Sequence, residues 1–149
     1  MCSSDLESKN QNTIIDRYDL HPFEVTIQNY IRTFINKMFA ICDYYLSNQI
    51  NEHSRHLYDL HMILPLIHFD NNFKHLFLQV REERSHKTIC LSARSEKKLS
   101  NLLQEIIESN IYKSDYETKT VTLLINSVSY DVVIASISSI VDSLDNIDL

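Results

Sequence analysis

Residues 30–66, YIRTFINKMFAICDYYLSNQINEHSRHLYDLHMILPL, decide the predicted fold class of this chain. Large apolar residues recur every three or four positions up to Leu46, which is the spacing of an amphipathic helix. A polar turn follows, and Ser54 can cap a second helix that ends or kinks at Pro65. The stretch therefore predicts a helical hairpin. Its predicted core faces are Tyr30, Phe34, Met38, Ile41 and Tyr45, then Leu57, Leu60, Leu64 and Ile67.

Two charged residues in this hairpin are candidates for chemistry. Lys37 falls inside the apolar stripe of the first helix, although lysine is rarely buried without a partner. It either lies along the edge of the core with its ammonium in water or serves a site. Asp59 lies beside the second stripe, where a surface ion pair with Arg55 is the simplest interpretation. An antiparallel hairpin would also let Lys37 meet Asp59, and a lysine beside a carboxylate suits phosphate chemistry.

Helical patterns continue to the C-terminus. They predict helices over 71–84 and 95–109, and a last helix capped by Ser129. Residues 112–126 contain VTLLI, which also permits a strand, but the pattern is interpreted as a helix. The charged REER that ends the helix over 71–84 is predicted to be a solvated face, and residues 85–93 a partly extended connector.

The N-terminal part follows a different pattern. Residues 1–12 are polar and aperiodic, typical of a disordered or foreign leader. FEVTIQ at 23–28 alternates apolar and polar residues, which predicts a half-buried strand within a segment 13–29. The predicted fold class is therefore mainly α, with five or six amphipathic helices in a bundle over 30–149 and one short N-terminal strand.

The composition excludes several classes of site. The chain contains no glycine, where average usage predicts roughly ten, so glycine-dependent phosphate loops and nucleophile elbows are excluded. A net charge of −6 argues against broad, nonspecific nucleic-acid binding. Three widely spaced cysteines indicate free thiols, and Cys42 is predicted to be inert in the core. Seven scattered histidines predict no metal site. Without a membrane span or a signal peptide, the expected location is the cytoplasm.

The two helices of the hairpin also carry a family resemblance. The string RTFINKMFAICDYYL followed by SRHLYDLHMILP resembles the C-terminal part of the AbiEii/AbiGii-type nucleotidyltransferase toxins of abortive-infection systems. In that family an R-T-F-x-x-K helix precedes a helix reading S-R-H-x-Y-D-L, and residues 32–37 and 54–60 match these motifs. The similarity extends from about residue 15 to the C-terminus, and FEVTIQ resembles the strand that leads into the first helix.

The resemblance implies one lobe of a two-lobed enzyme. In such an enzyme an α/β palm with a Gly-Ser turn and two acidic residues holds Mg²⁺ and the nucleotide. By match to the motifs, Lys37 would contact the triphosphate of an NTP, and Asp59 would activate or position the acceptor. Arg55 and Arg32 would support nucleotide or phosphate binding. The resemblance also implies a cognate antitoxin as partner and an RNA acceptor such as tRNA.

The departure from the family is the palm, whose Gly-Ser turn cannot exist in a chain without glycine. The chain is therefore expected to be a C-terminal fragment, with segment 13–29 the end of the palm, and to be inactive alone. Mg²⁺ and an NTP are expected in the complete enzyme and not on this chain by itself. The alternative is a free-standing helical interaction module without catalysis, in which Lys37 points away from Asp59. Whether the chain is an enzyme thus depends on the missing palm.

Overall fold

The computed structural model describes residues 29–147 and 149, and this part of the chain is a helical bundle. The predicted strand at 23–28 and the leader at 1–12 lie outside the described residues. No strand occurs within the described part. Along the chain the elements are α1 (Tyr30–Leu46), α2 (Arg55–Ile63), a 3₁₀ turn (Leu64–Leu66), α3 (Asn71–Ser85), α4 (Leu91–Arg94), α5 (Leu99–Ser109), α6 (Lys113–Asp115), a π-helical segment (Tyr116–Thr120), α7 (Val121–Leu123) and α8 (Tyr130–Asn146).

The long helices begin where a side chain satisfies a free backbone N–H. The Asn29 carboxamide oxygen accepts from the Ile31 amide at 2.8 Å at the start of α1. Asp70 does the same for α3. Ser129 caps α8 as predicted, because its side chain accepts from the amide of Val132. The start of each of these helices is therefore set by one polar residue just before an apolar stripe.

Helix α1 lies at the centre of the bundle, in contact with α2, α3, α4 and α5. Helix α8 closes the other side by packing on α5 and α2. The helical spacing of Val133, Ile137, Ile140 and Leu144 predicts that they form the core face of α8, and all four are buried. In α1, Tyr30 is predicted to face the core but lies at its edge, because it is 49% exposed. The largest fully buried side chains are Tyr112, Tyr116, Phe34, Phe39, Phe73, Phe77, Ile35, Met38, Ile41, Leu57, Leu60 and Leu102.

The start of α2 is held by a different residue from the one predicted. Ser54 occupies the N-cap position, but its hydroxyl makes no capping bond and lies 2.8 Å from the Thr120 hydroxyl. Instead, the Asp115 carboxylate accepts from the backbone amides of Glu52 and Ser54, at 2.9 and 3.2 Å. The predicted Ser54 cap is therefore wrong. A carboxylate distant in sequence instead holds the backbone just before α2 and joins it to residues 113–120.

Two predictions for residues 81–93 need correction. Glu82 and Glu83 of REER are exposed, as predicted for a solvated face. The two arginines do not belong to that face: Arg81 donates to the carbonyls of Ala93 and Ser95, and Arg84 is largely buried. The connector is not extended, because turns lead into the short helix α4. Both errors have one cause. The arginines bind the connector and α1, and these partners are invisible to local periodicity.

Residues 112–126 are helical where they are regular, as predicted, but not as one helix. Helix α6, the π-helical segment and α7 follow one another without a break and end at Leu123. A π-helical turn inserts an extra residue into the helical ladder. Here it lets the buried side chains of Asp115, Tyr116 and Thr120 all face the bundle. This arrangement places the carboxylate that holds α2.

Candidate functional site

The structure brings the two predicted catalytic side chains together. The Lys37 ammonium donates to Asp59 Oδ2 at 2.6 Å, across the interface of α1 and α2. The two side chains are 23% and 20% exposed, so the pair is shielded but still reached by solvent. Lys37 therefore does not place its ammonium in water as an edge lysine would. The local alternative for Asp59 is wrong as well, because among the described residues its ion-pair partners are Lys37 and His56.

His56 is the third member of this cluster, and no sequence signal assigned it a role. Its Nδ1 lies 3.9 Å from Asp59 Oδ2 and is buried without a hydrogen-bond partner among the described residues. The ring is parallel to that of Tyr44 at 5.9 Å, and Tyr44 stacks on His53 at 3.5 Å. Burial, followed by the nearby Lys37 charge, lowers the pKa of His56 to about 4. The site thus contains an uncharged imidazole beside a charged pair.

The lowered pKa of His56 predicts that the protein loses stability on acidification. Between pH 6.5 and about 4 the unfolded chain binds a proton at His56 that the folded protein does not. The stabilisation is therefore complete above pH 6.5 and is lost as the pH falls towards about 4. Urea unfolding across this range should give a shallower pH dependence for His56→Gln than for the wild type. If the stability of His56→Gln and of the wild type depended equally on pH, the pKa of His56 would be the same in the folded and unfolded states.

The two supporting arginines differ in position. Arg55 is exposed on α2, one turn before Asp59, and both line an open pocket of about 290 Å³. Lys37 does not line this pocket. The pocket therefore borders the ion pair on the side of the Asp59 carboxylate. Arg32 instead pairs with Glu83 on α3. The structure therefore places Arg55 beside Asp59, while Arg32 is engaged elsewhere. The pocket is lined by Arg55, Tyr58, Asp59, Thr120, Leu123 and Leu124.

A second polar cluster, which sequence reasoning missed, lies between α1, α3 and α4. The Asp43 carboxylate accepts from Arg84 Nη2 at 2.7 Å, and from the Ser92 amide and hydroxyl at 2.7 and 2.6 Å. Arg84 also donates to Asn36 and lies over the ring of Phe39. A cavity of about 360 Å³ borders this cluster. The available signal was a carboxylate on the buried face of α1, which requires a cation from another element.

The remaining reactive side chains have structural surroundings. Cys42 is fully buried, and burial raises the pKa of its thiol well above the usual value, as expected for the predicted inert core thiol. His61 shares a hydrogen bond with the Ser136 hydroxyl at 2.7 Å. Among residues 29–147 and 149, no three histidine, cysteine, aspartate or glutamate side chains converge on a point where they could hold a metal ion. The helices described here are also too short or too polar to cross a bilayer.

Comparison with known proteins gives one positive result. No curated protein and no solved structure matches the chain. The family described as nucleotidyl transferase AbiEii toxin, type IV toxin–antitoxin system, matches residues 4–128, which is most of the chain and includes both helices of the Lys37–Asp59 pair. The chain therefore belongs to the AbiEii nucleotidyl transferase toxins of type IV toxin–antitoxin systems, a family that implies an antitoxin partner.

Proposed function

We propose that the Lys37–Asp59 cluster is one half of a nucleotide-transfer site, located in the helical lobe of a nucleotidyltransferase toxin. The observation that carries the proposal is the 2.6 Å contact between Lys37 Nζ and Asp59 Oδ2. It joins the two helices whose motifs resemble those of the family. A free-standing interaction module predicts a lysine that points away from the aspartate, so this contact favours the transferase.

The pair has the charges that nucleotidyl transfer requires. A hydroxyl of the acceptor attacks the α-phosphorus of an NTP, a new P–O bond forms, the α–β phosphoanhydride bond breaks, and pyrophosphate leaves. Lys37 would neutralise oxygens of the triphosphate. Asp59 would accept a hydrogen bond from the attacking hydroxyl and take its proton as the bond forms. Arg55, at the same pocket as Asp59, would add a second positive charge for the phosphates.

The described residues do not fit a metal ion, since no three acidic or imidazole ligands converge in this part of the chain. A Gly-Ser turn is also absent from a sequence without glycine. We therefore assign Mg²⁺ and most contacts to the nucleotide to an α/β palm, and the Lys37 and Asp59 contacts to this helical lobe. It follows that the chain alone does not catalyse transfer. The acceptor that fits the proposal is an RNA such as tRNA.

Purified chain, Mg²⁺, a labelled NTP and tRNA should give no labelled tRNA. When a palm from the same family is supplied in trans, label should appear, because the two half-sites then meet. Lys37→Met in the helical lobe should lower that rate by about 10²–10³, the usual effect of removing one preorganised electrostatic group. Lys97→Met is the matched control, since it removes the same lysine charge but belongs to the ion pair with Glu105 and not to the Lys37–Asp59 cluster.

Two results of this assay would count against the proposal. Incorporation by the chain without any palm would show that the half-site assignment is wrong. If the mixture of lobe and palm labelled tRNA at the same rate with the wild-type lobe and with Lys37→Met, the lysine would be structural.

A further inference from the structure

Two nitrogen atoms of the cluster, Lys37 Nζ and His56 Nδ1, lie near the same carboxylate oxygen, Asp59 Oδ2. Lys37 Nζ lies 2.6 Å and His56 Nδ1 lies 3.9 Å from Asp59 Oδ2. The first contact is a formed hydrogen bond, whereas the second is about 1 Å too long for one. His56 Nδ1 is nevertheless buried and has no other partner among the described residues. A buried ring nitrogen without a partner is costly, so its position beside this oxygen needs an explanation.

We propose that His56 is a positioning residue that takes over Asp59 when Lys37 moves to a phosphate. In the free protein Lys37 holds the carboxylate. When a polyphosphate draws the ammonium away, His56 Nδ1–H closes on Asp59 Oδ2 and keeps the carboxylate oriented for the acceptor hydroxyl. This exchange of the hydrogen-bond partner of Asp59, from Lys37 to His56, rests on the function proposed above, because it requires a phosphate ligand at Lys37.

The exchange answers an energetic difficulty of the half-site. Lys37 cannot serve two anions fully at once, and the departure of the ammonium leaves a partly buried carboxylate without its cation. Such an uncompensated charge is destabilising, and a free carboxylate side chain can also rotate out of position. A neutral imidazole donor satisfies the oxygen without adding a second positive charge that would compete for the hydroxyl proton. It therefore preserves both the orientation and the basicity of Asp59.

The groups around the imidazole support this assignment. Lys37, His53 and Arg55 lower the pKa of His56 and Asp59 raises it, while burial has the largest effect. The ring lies parallel to that of Tyr44, with the two ring centroids 5.9 Å apart. Loss of the Lys37 charge removes one of the effects that lower the pKa of His56, so this pKa should rise. The free and exchanged states should thus differ in a property of His56 that can be measured directly.

The test is nuclear magnetic resonance of the histidine rings in the full chain, with His56→Gln used for assignment. In Lys37→Met the proton of the neutral ring should reside on Nδ1, and the pKa of His56 should rise by about one unit or more, since Lys37 then no longer opposes the Asp59 charge. In the double variant Lys37→Met with Asp59→Asn this rise should disappear. Arg32→Met, the matched charge removal on α1, should leave the His56 resonances in place. His61 on the same helix serves as the internal reference.

Wild-type protein with inorganic tripolyphosphate should show the same change at His56, which keeps the test valid if a variant fails to fold. An unchanged His56 ring in Lys37→Met would overturn the exchange. A ring that stays unchanged while tripolyphosphate shifts the Lys37 resonances would overturn the exchange and leave the phosphate site standing. Absence of any tripolyphosphate binding would instead overturn the proposed function, and the exchange with it.

Discussion

Arg84→Met should lower the free energy of unfolding by about 3–5 kcal/mol, the usual cost of leaving a buried charge without its partner. Asp43, the partner, has a side chain that is only 10% exposed and also accepts from the amide and hydroxyl of Ser92. Methionine would retain much of the contact with Phe39 but would leave the carboxylate without a cation. Urea unfolding followed by circular dichroism at neutral pH measures the loss.

Arg81→Met is the matched control for this prediction, because Arg81 lies on the same helix but donates to the backbone carbonyls of Ala93 and Ser95. Its removal leaves no charge unpaired and should cost about 1–2 kcal/mol. The double variant Arg84→Met with Asp43→Leu should recover part of the stability, because both charges are then absent. A cost for Arg84→Met no larger than that for Arg81→Met would contradict the view that this cluster anchors α3 and α4 to α1.

A double-mutant cycle on Lys37→Met and Asp59→Asn should give a coupling free energy of about 1–3 kcal/mol, within the range for charged groups that share a hydrogen bond. The expectation follows from the 2.6 Å contact and from side chains that are only 23% and 20% exposed. The same unfolding measurement gives all four free energies. This coupling is also the energy against which a phosphate must compete for Lys37.

The exposed pair Arg32–Glu83 provides the comparison, because it starts from the same helix and joins the same charge types. Solvent screening should make its coupling much smaller than that of the shielded pair. If the two cycles gave equal couplings, the shielding of Lys37 and Asp59 would have no energetic consequence, and the pair would be an ordinary surface contact.

Local patterns predicted most of the helices because one helix face is defined by residues three or four positions apart. The stripe through Phe34, Met38 and Ile41 gave the bounds of α1 as they are observed. Ser129, next to the stripe of α8, likewise fixed the start of that helix. These features depend on neighbours in sequence, so the sequence is sufficient to predict them.

The contacts that build the site lie between helices, and local spacing could not rank them. Arg55 is the nearest cation to Asp59 in sequence, yet Lys37 is its partner because α1 and α2 pack side by side. Motif resemblance, not periodicity, identified that pair. Neither kind of reasoning found Arg84 as the partner of Asp43, or His56 beside Asp59. In each case the missing information was which helix faces which.

The most direct test of the half-site is a titration of the full chain with tripolyphosphate and each common nucleoside triphosphate, followed by nuclear magnetic resonance. A contact between one ammonium and one phosphate is worth about 4 kcal/mol at an effective dielectric constant near 20. The competing Asp59 contact offsets about 1–3 kcal/mol of this, so the dissociation constant should be about 10 mM or weaker. We expect saturable shifts centred on Lys37, Arg55 and Asp59 that vanish in Lys37→Met and persist in Lys97→Met, which removes a lysine charge from the separate Glu105 ion pair. Shifts that are absent from the wild type, or that survive Lys37→Met, would contradict the assignment of Lys37 to a phosphate site.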